Sequence, residues 1–404
     1  MNVVHVIGAG LAGISAARHL AEAGCEVSLY EASPQAGGRC RSYADAQLGC
    51  EIDNGNHLLL KGNREARELI QAIGAQDCWR EGEACYSFHD VVYGTQWQWK
   101  PPYWLPKLPL FSYLRLLQLL FRRHVASAIP PHSALGKRWA VPFCVSALNT
   151  QPQEARSREL LMLLWQIMRG GRDAAIPYVA VKPFREALID PALQHLRDKG
   201  VSLYFQSRLQ GLAIQNGRIT QLRFAGQARA VGERDRVILA VPPREAARLL
   251  PQLVVPQHYE AIVNLHFRYA HAQVPGSVAG LSGSGAEWVF FKEGEVVSTT
   301  TSAASHVSAE ERDVLAQQVW QDIAAVYGFD MNLPPHRMVT EKHATFTATI
   351  ENAGKRPPNK TLMENLWLAG DYTNTGLPAT IEGAIRSGRL AAQQCLASAR
   401  LQTT

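Results

Sequence analysis

Apolar and polar positions follow two rhythms along this chain. Val3 to Ile7 is a short apolar run, as in a strand buried on both faces. Ile14 to Ala23 then has helical spacing and stops at Gly24, and Glu26 to Tyr30 reads as a second strand. The same alternation returns in the middle of the chain. Lys182 to Gly200 reads as helix, Val201 to Phe205 and Gly217 to Phe224 as strands. Arg236 to Val241 is a strand that ends at Pro242-Pro243, before a further helix. Ala286 to Ser302 reads as strands and Ala309 to Gly328 as an amphipathic helix. Leu366 to Ala369 is a last buried strand, followed by a helix from Ile381 to Leu396. Short buried strands separated by helices predict an α/β fold.

One stretch has a different pattern. Pro109 is placed to open a helix running to about His124. Ser112, Arg115, Gln118 and Arg122 recur on it every three or four residues. The positions between them are almost all Leu, Phe or Tyr, which leaves a narrow polar stripe on a wide apolar face. Such a helix lies in a membrane interface or forms part of a core with snorkelling arginines. Trp97, Trp99, Tyr103 and Trp104 precede it and suit a membrane–water boundary.

Charge sharpens this picture. The 404 residues carry a formal charge of only +6, from 41 basic and 35 acidic groups. Yet the 63 residues between Asp90 and Glu154 contain no carboxylate and seven basic residues. The rest of the chain is close to neutral, with 34 basic groups against 35 acidic. The positive excess is thus one local block, which also holds four of the nine tryptophans. A protein that coats nucleic acid is excluded as the first reading, and a local anionic partner such as a lipid surface is retained. The N-terminus lacks the pattern of a signal peptide, and no apolar run reaches eighteen residues. The seven cysteines form no CxxC pair, so free cytosolic thiols are expected and no metal site. The expected location is cytoplasmic, peripheral on the inner face of the membrane.

The first strand runs directly into Gly8-Ala9-Gly10-Leu11-Ala12-Gly13. A GxGxxG turn between a strand and a helix brings backbone N–H groups to a pyrophosphate: Gly8 permits the turn, Gly10 the close approach, and Gly13 the helix–strand packing. Glu31 stands 23 residues after Gly8, where a ribose-binding carboxylate belongs, with Ala32 beside it. Gly37-Gly38-Arg39 follows, two flexible residues and a guanidinium with the fork geometry that binds phosphate. Near the other end, Gly370-Asp371 precedes Thr373 to Thr380 and a helix beginning at Ile381. Thr380 there also reads as a simple N-cap. Gly383, Ala384, Ser387 and Gly388 give that helix one small side, against which something flat or bulky can pack.

The GxGxxG, carboxylate and GGR elements together resemble the flavin amine oxidase and phytoene desaturase superfamily. The resemblance implies FAD. It implies pyrophosphate contacts from Gly37, Gly38 and Arg39, and ribitol and pyrophosphate contacts from Gly370 and Asp371. The helix N-terminus after Ala379, Thr380 and Ile381 would face the flavin pyrimidine edge, and Leu209 would flank the adenine. Three further stretches are similar to the hydroxysqualene dehydroxylase family of bacterial hopanoid synthesis: Asp53-Asn54-Gly55-Asn56-His57, Glu341 to Phe346, and Ala369 to Ala384. The chain departs from that pattern in Asn56, where Gln is expected, and in Tyr372, where Trp is common. Gly55 and Asn56 would lie beside the flavin.

This family implies reductive replacement of a hydroxyl by hydrogen on hydroxysqualene, a long-chain isoprenoid. His57 is the first candidate for the proton donor, since imidazole exchanges protons near neutral pH. Asp53, Asn54 and Tyr372 are candidates for orienting the hydroxyl. Asp53-Asn54-Gly55 also reads as a plain turn, and His57 as a core histidine. The rival functions are a carotenoid or phytoene-type desaturase working in the opposite redox direction, a flavin amine oxidase, and a non-catalytic flavin-binding membrane partner. The resemblance also implies a FAD-binding Rossmann-like domain from residues 1–90, 185–245 and 340–404. An α+β substrate domain would come from 91–184 and 246–339.

Overall fold

A computed structural model describes residues 3–100, 110–274, 276–308 and 310–401. Its first layer is a five-stranded parallel sheet. In spatial order the strands are Ser202–Tyr204, Glu26–Tyr30, Val3–Ile7, Arg236–Leu239 and Leu366–Leu368. Val4, Val6, Ile238 and Leu239 are buried at 3% exposure or less. Fully burying one such side chain contributes about 1.5–3 kcal/mol, which explains the mostly apolar runs. The helix Leu11–Glu22 connects the first two strands in sequence. The helix Ile381–Leu401 packs on it.

That packing depends on Gly388. A Cβ there would sit 2.1 Å from the carbonyl oxygen of Ala12. Ser15 Oγ also donates to the carbonyl of Ile385 at 2.8 Å. The small side expected on the C-terminal helix is therefore filled, at Gly388, by the first helix.

The second layer is a seven-stranded sheet in the order His336–Phe346, Tyr259–Arg268, Val296–Thr301, Trp288–Lys292, Val278–Ser282, Tyr86–Asp90, Thr95–Trp99. Its pairs are antiparallel, except that Val278–Ser282 and Tyr86–Asp90 run parallel. One face packs against the helix Arg312–Tyr327 through Leu265, Phe267, Val289, Phe291 and Trp320, all at 2% exposure or less. The alternate residues form the other face.

Two strands move the expected domain boundaries. Tyr86–Asp90 was expected within residues 1–90 of the nucleotide-binding part, and residues 340–346 with its last segment. Both belong to the seven-stranded sheet, because their pairing partners are there. Such pairings between residues distant in the chain leave no trace in local periodicity.

A third group of helices covers the end of this sheet. Leu110–Gln118, Val141–Leu148 and Ser157–Arg169 cluster around Trp139, Cys144, Leu148 and Leu160. The first of these is shorter than the expected span of 109–124. After Gln118 the chain makes tight turns, and His124 then bridges to Arg156 while Val125 N–H donates to the carbonyl of Ala155. Tertiary pairing ends the helix there, since no Gly or Pro interrupts the sequence. Pro109, Tyr103 and Trp104 lie outside the described residues.

Candidate active site

The glycine motif folds as a close-packed turn. Gly8 has φ of +106°, and a Cβ there would stand 2.4 Å from the carbonyl oxygen of Ala240. Gly10, in contrast, has no atom within 4 Å of its Cβ position. The backbone of residues 8–10 is thus tight on the protein side and open on the other, which is the cradle a pyrophosphate needs. Gly10 and Gly37 form an isolated parallel bridge, and Gly37 N–H donates to the Ala9 carbonyl at 2.8 Å. This places Gly38 and Arg39 beside the first turn.

Glu31 is fixed by two backbone donors, Ala9 N–H at 2.8 Å and Ser33 N–H at 2.9 Å. Arg39 Nη2 pairs with Asp371 Oδ1 at 2.8 Å, and its Nη1 donates to the Ala344 carbonyl at 2.5 Å. Asp371 is buried at 6% while Arg39 keeps 41% of its side chain exposed. The guanidinium is therefore anchored from behind and open in front. Thr380 Oγ1 accepts the N–H of Gly383 at 3.1 Å, so Thr380 caps the helix that starts at Ile381. Leu11 and Ala12 are buried at the start of the first helix. Leu209 is buried, and its carbonyl accepts Arg248 Nη2 at 3.0 Å. Open glycine backbone, an anchored carboxylate and a half-exposed arginine fit FAD.

Asp53 to His57 crosses the polar end of the large sheet. Asp53 is 2% exposed and accepts from Ser42 Oγ at 2.6 Å and Phe184 N–H at 2.8 Å. Its other oxygen pairs with the Lys292 ammonium. Burial alone would raise the Asp53 pKa, but Lys292 and these hydrogen bonds hold it below the usual carboxylate range. Asp53 is a buried structural anion held by three partners, which accounts for its place in the fold. Lys292 was missed in the sequence, where it reads as an ordinary charge in Phe290 to Glu295.

Asn54 Nδ2 donates to Glu341 at 3.1 Å. A Cβ on Gly55 would stand 3.5 Å from Asn264 Nδ2. Asn56 Nδ2 donates to the Thr299 carbonyl at 3.1 Å and to Thr300 Oγ1 at 3.2 Å. His57 is half-buried, edge-on to Phe184 at 5.1 Å, with its Nε2 3.5 Å from Cys40 Sγ. Desolvation pushes its pKa down to about 4 against the opposing pull of Asp53, so the ring is neutral at pH 7. His266, fully buried and bonded to Ser298 Oγ, is pushed down to about 3 by the same cause.

Tyr372 is placed differently from the expectation. Its ring is 1% exposed and lies under Gly370, where a Cβ would come 2.5 Å from Tyr372 Cε1. It belongs to the cluster of Leu368 and Phe346, and no described contact joins it to Asp53, Asn54 or His57. It supports the Gly370-Asp371 turn, which explains why an aromatic ring is used there. A surface cavity of about 530 Å³ is lined by Arg244, Tyr259 and, from the 341–346 stretch, Lys342 and His343; it includes none of residues 53–57, and its charged wall does not suit a hydrocarbon.

Comparison with known proteins bears on these motifs. The family described as flavin containing amine oxidoreductase matches residues 11–95 and 111–396. The hydroxysqualene dehydroxylase of Zymomonas mobilis subsp. mobilis is 40% identical, over 98% of this chain and 99% of its own. A 15-cis-phytoene desaturase of an Oncidium hybrid cultivar is 25% identical, over 96% of this chain and 77% of its own. Among solved structures, cyclohexylamine oxidase from Brevibacterium oxydans has the same fold, with a TM-score of 0.74 at 15% identity and all of both chains covered.

Proposed function

The chain belongs to the flavin-containing amine oxidoreductases and, within them, to the hydroxysqualene dehydroxylases, and on this premise we propose that it converts hydroxysqualene to squalene with FAD as its redox group. The observation that carries the reading is the ion pair of Arg39 with Asp371, which joins the two glycine-marked motifs in a chain 40% identical to a hydroxysqualene dehydroxylase over nearly its whole length. The phytoene desaturase is far more distant, at 25%.

Reduced FAD supplies the hydride, so that R–OH and FADH2 give R–H, FAD and water. The chain has four tasks beside it. Gly10, Gly37, Gly38 and Arg39 hold the pyrophosphate, and Glu31 the ribose. The helix starting at Ile381 would offer its positive end to the bound cofactor, where it would stabilise negative charge on a reduced ring. Asn54 and Asn56, held by Glu341, Thr299 and Thr300, fix the backbone of the segment that would lie beside the flavin. His57 delivers a proton to the departing hydroxyl. With a pKa of about 4 its charged form is scarce at pH 7, so the donor is a minor protonated fraction of the ring.

The substrate is a hydrocarbon, and the helical cap is built to meet a lipid surface. On the helix Leu110–Gln118, Tyr113 and Leu116 pack inward. Leu114 and Leu117, with Leu120 and Phe121 just beyond, are 57–84% exposed. Arg122 and Arg123 are exposed next to them. Trp165, on the neighbouring helix Ser157–Arg169, is 60% exposed. Met162 on that helix reaches to 3.8 Å from the Cβ position of Gly376, in the loop before the flavin-facing helix. An apolar patch with Arg122 and Arg123 at one end supports peripheral docking on an anionic membrane. No helix among the described residues is long and apolar enough to cross a membrane. Anaerobic incubation of reduced enzyme with hydroxysqualene, with the hydrocarbon identified, tests the catalytic reading.

A further inference from the structure

The face of the large sheet opposite the Trp320 core is ordered in rows. Strand register aligns Asn264 with Thr300, Thr300 with Trp288, Trp288 with Gly280, Gly280 with Phe88, and Phe88 with Trp97. This single row changes character half-way. Asn264 and Thr300 are polar, buried, and bonded to Asn56. Trp288, Phe88 and Trp97 are apolar and only half-buried.

Gly280 lets the change happen. A Cβ there would lie 2.2 Å from Phe88 Cδ1, so the missing side chain allows the Phe88 ring to lie across the strand. The Phe88 ring stacks on Trp97 at 5.4 Å and meets Trp288 at 5.6 Å. The adjacent row continues the strip: Tyr86 meets Trp288 at 6.4 Å and Trp99 at 5.7 Å, and Trp99 meets Phe143 at 5.8 Å. Phe143 packs in the helical cap that carries the exposed leucines.

On the other face of the same sheet Leu265, Phe267, Leu281, Val289, Phe291 and Val297 are buried in one cluster with residues of the helix Arg312–Tyr327. Half-exposed tryptophans in register are the unusual side, and an apolar surface of this size calls for an apolar occupant. Three inter-strand steps from Trp288 to Trp97 span about 14 Å. The polar end adjoins Asn56, and the far end leads toward the apolar patch of the cap.

We propose that Trp288, Phe88 and Trp97 form the track that holds the hydrocarbon arm of the substrate and sets its chain-length preference. This rests on the isoprenoid reading given above. The track binds by dispersion and apolar burial, so it distinguishes chains by length and not by redox state.

The test is equilibrium binding of squalene, and of a hydrocarbon with half its carbons, to the oxidised holoenzyme. Wild type is compared with Trp288→Ala, Phe88→Leu, Gly280→Ala and, as a control on the opposite face, Phe291→Leu. Each track variant is expected to weaken squalene binding about tenfold, the equivalent of 1.4 kcal/mol, and to reduce the preference for the longer chain. The control is expected to lower thermal stability and leave that preference unchanged. Variants that retain FAD and the wild-type preference overturn the track. Weakened binding in the track variants, in an enzyme that fails to convert hydroxysqualene, would keep the track and overturn only the dehydroxylation.

Discussion

Arg39 Nη2 lies 2.8 Å from Asp371 Oδ1, and this contact joins two glycine-marked motifs from opposite ends of the chain. Neither motif makes a cofactor site by itself. Asp371 is buried and fixes the guanidinium, while 41% of the Arg39 side chain stays exposed.

Arg39→Ala is therefore expected to weaken FAD binding about tenfold to a hundredfold, the range for loss of one or two charge-assisted hydrogen bonds. Arg39→Lys should recover only part, because an ammonium cannot form the fork. The ratio of flavin to protein absorbance after gel filtration, and titration with added FAD, measure this. Full flavin content in Arg39→Ala would contradict the assignment.

The Lys292–Asp53 pair makes a stability prediction. Both groups are mostly buried, at 12% and 2% side-chain exposure. Lys292→Met leaves an uncompensated anion and should cost about 3–5 kcal/mol in guanidinium unfolding. The double change Lys292→Met with Asp53→Asn should recover a large part, since no buried charge is then left alone. A single change costing under about 1 kcal/mol would show that the pair is not held in this way.

His57 gives the pH dependence. Its folded pKa of about 4 is far below the ordinary 6.5, so about one ring in a thousand is charged at pH 7. If the charged form supplies the proton, kcat for the reduced enzyme rises about tenfold for each unit the pH falls between 8 and 6. His57→Gln should lower kcat by about 10²–10⁴ and flatten that slope, with FAD content preserved. A flat profile in wild type, or a sloping one in the variant, would remove His57 from the role.

Membrane docking is tested on residues whose change leaves the core intact. Leu117 and Phe121 are 57% and 84% exposed. Leu117→Asp with Phe121→Asp should reduce co-sedimentation with vesicles containing anionic lipid by about tenfold or more, with unchanged thermal stability. Wild-type binding should weaken with added salt, through Arg122 and Arg123. Sedimentation that is equal for the two proteins would contradict docking by this face.

The legible parts of the fold were those written in contiguous residues. The glycine turn with its flanking strand and helix, and the Thr380 cap, depend on neighbours a few positions away, and Glu31 is marked by its fixed spacing from the turn. The seven-stranded sheet was much less so. Its parallel pairing of Tyr86–Asp90 with Val278–Ser282 joins segments far apart in the chain, and the Trp288–Phe88–Trp97 row exists only in that register. The neutral state of His57 depends on burial beside Phe184 and Cys40 and on Lys292, which no local pattern shows. The helix expected over 109–124 followed its apolar spacing correctly but could not anticipate that residues 124 and 125 pair with 155 and 156. The basic, carboxylate-free block was visible from charge alone, and the exposed leucines sit inside it.

The central claim is the direction of the chemistry. Holoenzyme reduced under argon, then incubated with hydroxysqualene in lipid vesicles, should yield squalene and oxidised FAD, one hydrocarbon for each flavin reoxidised. Extraction and mass identification of the hydrocarbon decide it. Hydroxysqualene recovered unchanged with FAD still reduced, or a more unsaturated product formed only by the oxidised enzyme, would contradict the account.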